Sequence, residues 1–87
     1  MRMLEERLAE ATITLQYPKK KTTTVVKKAV SPDNYRVPEG IEIQTLQEGS
    51  TITITIRCKK GLGSLTATID DLLACISTVE KTIAELD

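Results

Sequence analysis

Residue types that could carry out catalysis are sparse in this 87-residue sequence, which contains no histidine. Without histidine, neither a Ser-His nor a Cys-His pair can form, and imidazole cannot ligate a metal. Asp70 and Asp71 are adjacent, so on a helix they would point about 100° apart rather than share a site as acid and base. We therefore expect a solvated acidic rim at these two positions. The protein is predicted not to be an enzyme, with no catalytic residues, no metal site and no cofactor.

Two cysteines, Cys58 and Cys75, fall in a strand-like and a helix-like stretch. Their spacing is not that of metal ligands, which favours buried free thiols over a disulfide or a metal site. Residues 1–10 are too charged for a signal peptide and hold no apolar run that could cross a membrane. These features predict a cytoplasmic protein.

The segment from Lys59 to Ser64 reads KKGLGS, a basic and glycine-rich lead into a helix. Free backbone amides in such a segment could hold a phosphate, although the spacing is not that of a nucleotide-binding loop. A plain turn with Ser64 as the helix cap explains the same residues. Both interpretations stay open.

A wider set of basic residues could contact a phosphate backbone: Lys19, Lys20, Lys21, Lys27, Lys28, Lys59 and Lys60. The alternative for this set is a solvated helix face. The chain has no Trp and no Phe, so any nucleic acid would be bound through shape and charge rather than by base stacking.

The longest periodic pattern runs from Gly61 to Asp87 and predicts a helix. Its apolar residues alternate steps of three and four, as one helix face requires: Leu62, Leu65, Ile69, Leu72, Ile76, Val79, Ile83 and Leu86. Such a helix is about 38 Å long at about 1.5 Å per residue, whereas a compact chain of this length has a radius of gyration near 12 Å, as a rough estimate. The helix should therefore extend beyond its own domain, and a second copy or another partner would cover the overhang.

The remaining elements are shorter. Strands of period two are predicted over 11–17, 41–47 and 51–58, with a tight turn at Glu48-Gly49 between the last two. A short helix is predicted over 19–30. We expect a loose N-terminal arm over 1–8 and a single α+β domain over 9–87. The order β-α-β-β-α favours a three-stranded antiparallel sheet in order 1-3-2 with both helices on one face and a field of threonines on the other.

The back of the final helix is the candidate partner-binding surface. Ala67 and Ala74 lie one heptad apart there, and small residues in a row allow another helix to approach closely. The alternative is a solvent face that is rich in small residues. With the overhanging end included, the predicted partner-binding residues are Ala67, Asp70, Asp71, Ala74, Ser77, Thr78, Ile83 and Leu86.

Three stretches resemble a known family: VKKAVSPDN at 26–34, VPEGIEIQT at 37–45 and GLGSLTATIDDLLACISTVEKT at 61–82. Together with the hairpin they are similar to the archaeal small Pcc-type subunit of the KEOPS complex, over roughly residues 9 to 87. The resemblance implies a KH-like fold and a non-catalytic, dimer-forming subunit. It also implies binding to the subunit that transfers threonylcarbamoyl to make threonylcarbamoyladenosine in tRNA, with the helices contacting that partner.

Two other classes of function stay open: a free-standing nucleic-acid-binding module and a small-molecule-sensing regulatory domain. Self-association as a homodimer is expected because it would cover the unpaired backbone groups of the sheet edges and the apolar surface of the overhanging helix. The order 1-3-2 places Lys59 and Lys60 at the opposite end of the sheet from Lys19 to Lys21, so two basic patches are expected. We therefore expect tRNA to bind weakly to the isolated chain and appreciably only to an assembled complex, and we expect no membrane partner.

Overall fold

The computed structural model describes residues 9–31 and 36–86, with the side chain of Leu86 outside the described part. The elements follow the order β1 (Ala9–Gln16), α1 (Lys20–Val30), β2 (Ile41–Glu48), β3 (Thr51–Cys58) and α2 (Leu62–Leu86). The three strands form one antiparallel sheet in the order β1-β3-β2. The predicted α+β fold is therefore confirmed. The predicted arm over 1–8 lies outside the described residues.

The register of the sheet sorts its side chains into two faces. Ile13 pairs with Ile54 on one side of β3, and Thr45 pairs with the same residue on the other side. Alternation along the strands then places the isoleucines of β3 toward the helices and its threonines on the opposite face. The predicted field of threonines is the open face of the sheet.

The core lies between the sheet and the two helices. Ile52, Ile54 and Ile56 of β3 are fully buried because β3 is the central strand and both helices contact it. The other buried apolar residues of the described chain are Val26, Val30, Ile43, Cys58, Leu65, Leu72 and Ile76. The core is almost wholly aliphatic, as the lack of Trp and Phe predicted.

Some details differ from the sequence-based expectation. β1 begins at Ala9 rather than Ala11, because Ala9 and Glu10 continue the ladder with Cys58 and Arg57. Leu62 was expected on the core face but is 71% exposed. The helix begins at this residue, so no earlier helical turn covers Leu62, whereas Leu65 in the same turn is buried in the core. This start also excludes Ser64 as the helix cap.

Helix α1 is held by a mixture of apolar and polar contacts. Val26 and Val30 are buried, whereas Val25 is 44% exposed, and Thr23 is also buried. The helix has three lysines at its N-terminal end and no side-chain cap at Lys19, both of which disfavour its first turn. Tertiary contacts rather than local propensity therefore keep α1 helical.

Polar bonds join α1 to β2. Gln47 donates a hydrogen bond to Thr24 Oγ1 at 3.0 Å, and the hydroxyls of Ser31 and Thr45 are 3.5 Å apart. Both β2 residues face the helices, where an apolar side chain would be the usual choice. α1 thus covers the β2 side of the sheet and α2 covers the β1 side.

The molecule is elongated because of α2. Its 25 residues span about 37 Å, whereas an eight-residue strand such as β3 spans about 26 Å. The extents are 54 × 22 × 18 Å, and the radius of gyration is 14.3 Å. The last turns of α2 therefore extend past the end of the sheet.

Candidate partner-binding surfaces

The side of α2 that faces away from the sheet is lined by small and acidic residues. All six of the predicted positions on this side are exposed: Ala67, Asp70, Asp71, Ala74, Ser77 and Thr78. We call them the outer face of α2. Ile83, also predicted to bind a partner, instead lies on the core side, where it is half-buried and packs against the core. The side chain of Leu86 lies outside the described residues.

Threonines make this helix less polar than its sequence indicates. The hydroxyls of Thr66, Thr78 and Thr82 each donate a hydrogen bond of 2.9 to 3.0 Å to the carbonyl four residues earlier. Because each hydroxyl is directed at the helix backbone, the methyl groups form more of the exposed surface. The sequence pattern did not predict this, although a threonine in a helix interior is the signal for it.

A second exposed surface lies on one flank of α2. Leu62 is 71% and Leu73 45% exposed, and on a helix both lie on the same side as Ile69 and Glu80. Glu80 is bonded to Tyr17 at the end of β1, so this side faces the β1 edge of the sheet. We call Leu62, Ile69 and Leu73 the β1-side flank. The sequence pattern did not predict this flank, because it assigned Leu62 and Ile69 to the apolar face that packs on the core and did not include Leu73.

Tyr17 and Glu80 join the sheet to the overhanging part of α2. The Tyr17 hydroxyl donates a hydrogen bond of 2.6 Å to Glu80 Oε2. Burial raises the pKa of the Tyr17 phenol well above its usual value, and the hydrogen bond to Glu80 and the negative charge of Glu80 act in the same direction. An open cleft of about 320 Å³ adjoins this bond, lined by Tyr17, Pro18, Lys19, Thr22, Glu80, Ile83 and Ala84.

The candidate nucleic-acid-binding lysines lie on separate parts of the molecule. Lys19, Lys20 and Lys21 follow the end of β1 that pairs with Thr51. Lys59 and Lys60 follow the other end of β3, about 26 Å away along a strand of this length. Lys27 and Lys28 lie in the last turn of α1, where they complement the helix dipole. The lysines therefore do not form one continuous patch on this chain.

The Lys60 side chain packs over Gly40, where an added Cβ would approach its Cε to 2.9 Å. Gly40 has a φ of +84°, a conformation that glycine adopts without strain. The Lys59 amide donates to the Gly40 carbonyl at 3.0 Å. These contacts hold the turn before α2 against the residue that precedes β2. They support a structural turn over a phosphate-binding segment at 59–64.

The open face of the sheet carries a cluster of charges around Arg57 at one end and Glu48 at the other. Arg57 Nε lies 2.7 Å from Glu10 Oε2, and Arg57 Nη1 lies 4.0 Å from Glu42 Oε1. The hydrogen bond to Glu10 raises the pKa of the Arg57 guanidinium. The middle of the face is neutral and consists of threonines with Gln44 and an exposed Leu46.

Neither a metal centre nor a transmembrane role is supported by the described residues. Over 9–31 and 36–86, no group of three or more Cys, Asp and Glu side chains could hold a metal ion. By length and composition α2 could cross a membrane, but the core helix of a soluble protein can have the same length and composition. Leu65, Leu72 and Ile76 of α2 pack on the sheet, so we treat it as a core helix.

The fold is that of a small α+β domain with an aliphatic core, a long helix whose outer face is exposed, and a three-stranded sheet with β1 and β2 at its edges. A family model described as Transcription factor Pcc1 matches residues 10–84. The chain therefore belongs to the Pcc1 family, which confirms the resemblance to the Pcc-type subunit of the KEOPS complex.

Comparison of structures supports the same fold. A chain of the crystal structure of a binary Gon7-Pcc1 complex superposes with a TM-score of 0.77 at 15% sequence identity. The match covers 91% of this chain and 96% of that chain. At this identity the likeness shows the fold alone. No curated protein sequence matches the chain.

Proposed function

We propose that this chain is a non-catalytic, dimer-forming subunit of a cytoplasmic KEOPS complex and that it binds the threonylcarbamoyl transferase subunit. In this role it supports the synthesis of threonylcarbamoyladenosine in tRNA without supplying reacting groups. Membership of the Pcc1 family supports the complex. The outer face of α2 is the observation that carries the partner-binding role.

The outer face has the properties of a helix-docking surface. Its alanines present no side chain beyond Cβ, and ridges of small residues allow helix axes to approach to about 8 Å. Thr78 of this face loses little entropy on docking because its hydroxyl already donates a hydrogen bond to the Ala74 carbonyl. The face lies opposite the core residues of α2, so a partner can cover it without disturbing the domain.

Replacing Ala74 by Arg tests this role. Ala74 is exposed, so the fold should remain intact, while a long charged side chain in the centre of the face should prevent a partner helix from docking. We expect copurification with the transferase subunit to fall to background. The matched control is Gln44→Arg, which places the same side chain on an exposed position of β2. Retained copurification of Ala74→Arg would show that the outer face is only a solvent surface.

A second candidate function is direct nucleic-acid binding, which the family description and the seven lysines favour. Strong, steeply salt-dependent binding by the isolated chain would support it. Because the lysines lie in distant groups, a single copy of the chain is not expected to bind nucleic acid tightly.

A further inference from the structure

The outer edge of β2 can be assigned residue by residue from one hydrogen bond. The Lys59 amide donates to the Gly40 carbonyl at 3.0 Å, and these two residues lie directly beyond the pair Ile41–Cys58. Because hydrogen-bonded and non-hydrogen-bonded pairs alternate in an antiparallel ladder, the even-numbered residues of β2 bond to β3. The odd-numbered residues therefore direct their backbone N–H and C=O groups away from β3: Ile41, Ile43, Thr45 and Gln47.

Three of these four residues present backbone groups that could pair with another strand. The Ile41 amide donates to the Pro38 carbonyl at 3.2 Å, so the chain itself closes the start of the edge. Within the described part of the chain, β2 pairs with β3 alone, and Ile43, Thr45 and Gln47 make no backbone hydrogen bond across the outer edge. β2 contains neither proline nor lysine, the residues that commonly protect an edge strand. It can therefore accept an added strand.

One side of α1 faces this edge and carries positive charge. The hydroxyls of Thr24 and Ser31 contact polar side chains of β2, which identifies the side of the helix that lies toward the edge. The same two hydroxyls donate hydrogen bonds to the carbonyls of the residues four positions earlier, Lys20 and Lys27, at 3.1 and 2.9 Å. Residues four apart share a helix face, so both lysines lie on the side of α1 that faces β2.

The surroundings of the edge select the chemistry of an added strand. α1 contains no acidic residue, and within the described ranges neither Lys20 nor Lys27 forms a salt bridge. On the open face of the sheet, β2 instead carries Leu46, which is 58% exposed, between Glu42 and Glu48. Side chains of an added strand alternate between these two sides. Carboxylates fit the side of the lysines, and apolar side chains fit the side of Leu46.

We propose that β2 accepts an extended acidic segment of a partner protein as a fourth strand, in which Glu or Asp alternates with apolar residues. The segment runs antiparallel to β2, with its carboxylate residues opposite Ile43, Thr45 and Gln47 and next to the lysines of α1. A phosphate backbone would also be attracted to these lysines, but it has no N–H and C=O groups that match a strand edge. The proposal goes beyond the proposed function and does not use the outer face of α2.

A short synthetic peptide, acetyl-Glu-Val-Glu-Val-Glu-Val-Glu-amide, tests the edge. Added to the full ¹⁵N-labelled chain, it should shift the NMR signals of the Ile43, Thr45 and Gln47 amides. Hydrogen exchange of these amides should slow by about tenfold or more at saturation, because each amide gains a backbone acceptor. The matched control peptide has lysine in place of every glutamate, and it should bind more weakly because it meets Lys20 and Lys27.

Methylation of single peptide nitrogens separates strand pairing from attraction between charges. A methyl group on the amide of the central glutamate removes a donor that faces β2, and we expect the affinity to fall about tenfold. The same group on a neighbouring valine lies on the side away from β2 and should have little effect. Equal affinities of the two methylated peptides would overturn the proposal.

A charge reversal tests the role of α1. Lys20 is exposed, and an acidic residue suits the first turn of a helix, so the fold of Lys20→Glu should persist. We expect this variant to bind the glutamate peptide about fivefold more weakly and the lysine peptide more tightly. Lys81→Glu is the matched control on α2 and should bind both peptides as the wild type does. Equal binding of both peptides to the wild type, or the same amide shifts from a single-stranded oligonucleotide and none from the peptide, would overturn the proposal.

Discussion

At the scale of single residues, Tyr17 connects two parts of the molecule that the backbone does not hold together. Its amide is bonded to Ser50 at the end of the sheet, and its hydroxyl to Glu80 in the overhanging part of α2. The sequence predicted that Tyr17 ends a strand on the core side. It could not predict the bond to Glu80, because that contact depends on how far α2 extends past the sheet.

Replacing Tyr17 by Phe should lower the free energy of unfolding by about 1 kcal/mol at neutral pH, the usual net value of one hydrogen bond. The effect should shrink as pH rises above about 10, where an unperturbed tyrosine ionises. Because the folded state raises the pKa of Tyr17, its stabilisation is fully present below pH 10 or so and is lost at higher pH. Urea titrations of both proteins from pH 7 to 11 measure the difference. A difference that stays constant with pH would contradict the assigned bond.

At the scale of elements, periodicity predicted the type and order of all five, since period-two and heptad patterns reflect which side of an element is buried. It failed for single residues at the margin of a buried face. Leu62 follows the heptad pattern but is exposed at the first residue of α2, and Val25 is exposed although Val26 beside it is fully buried. The outer face of α2 was predictable because it is the side of the helix opposite the apolar residues that pack on the core. The β1-side flank was not, because its direction depends on the contact between Glu80 and Tyr17.

Helix α1 shows a conflict between local preference and position. Lys19 has the extended backbone of an N-cap, with φ −117° and ψ 136°, but its side chain makes no capping bond. Replacing Lys19 by Ser should stabilise the protein by about 1 kcal/mol through a new cap. As the control, Lys27→Ser removes a lysine from the last turn, where it is favourable, and should not stabilise. Thermal unfolding measures both, and an unchanged midpoint for Lys19→Ser would show that the first turn is not limited by its cap.

At the scale of the whole molecule, the lysine groups bear on how tRNA could be held. Groups at opposite ends of a sheet cannot follow one stretch of phosphate backbone closely, but several copies and partners could join them into a longer surface. The candidate tRNA-binding residues were predictable as lysines and as two separate patches. Whether they touch tRNA remains a prediction.

Changing Lys59 and Lys60 to Glu tests this contribution. In a reconstituted complex we expect weaker tRNA binding, with each lost phosphate contact lowering the salt slope by about one unit. Modification of tRNA should fall in parallel, while copurification with the transferase subunit should not change. Unaltered affinity, slope and modification would mean that these lysines only solubilise the turn before α2.

The central place of β3 determines when this chain can begin to fold during its synthesis. β1 pairs only with β3, so Gln16 meets a partner 35 residues later and Ala9 one 49 residues later. Among the strands of residues 9–31 and 36–86, β2 likewise pairs with β3 alone, and β3 is the last of the three to be translated. The nascent chain therefore carries two strands, β1 and β2, whose pairing is incomplete until residue 58 has left the ribosome, and such non-local pairing folds slowly. β1 has threonine at positions 12 and 14 rather than larger apolar residues, which reduces its tendency to aggregate while it is unpaired.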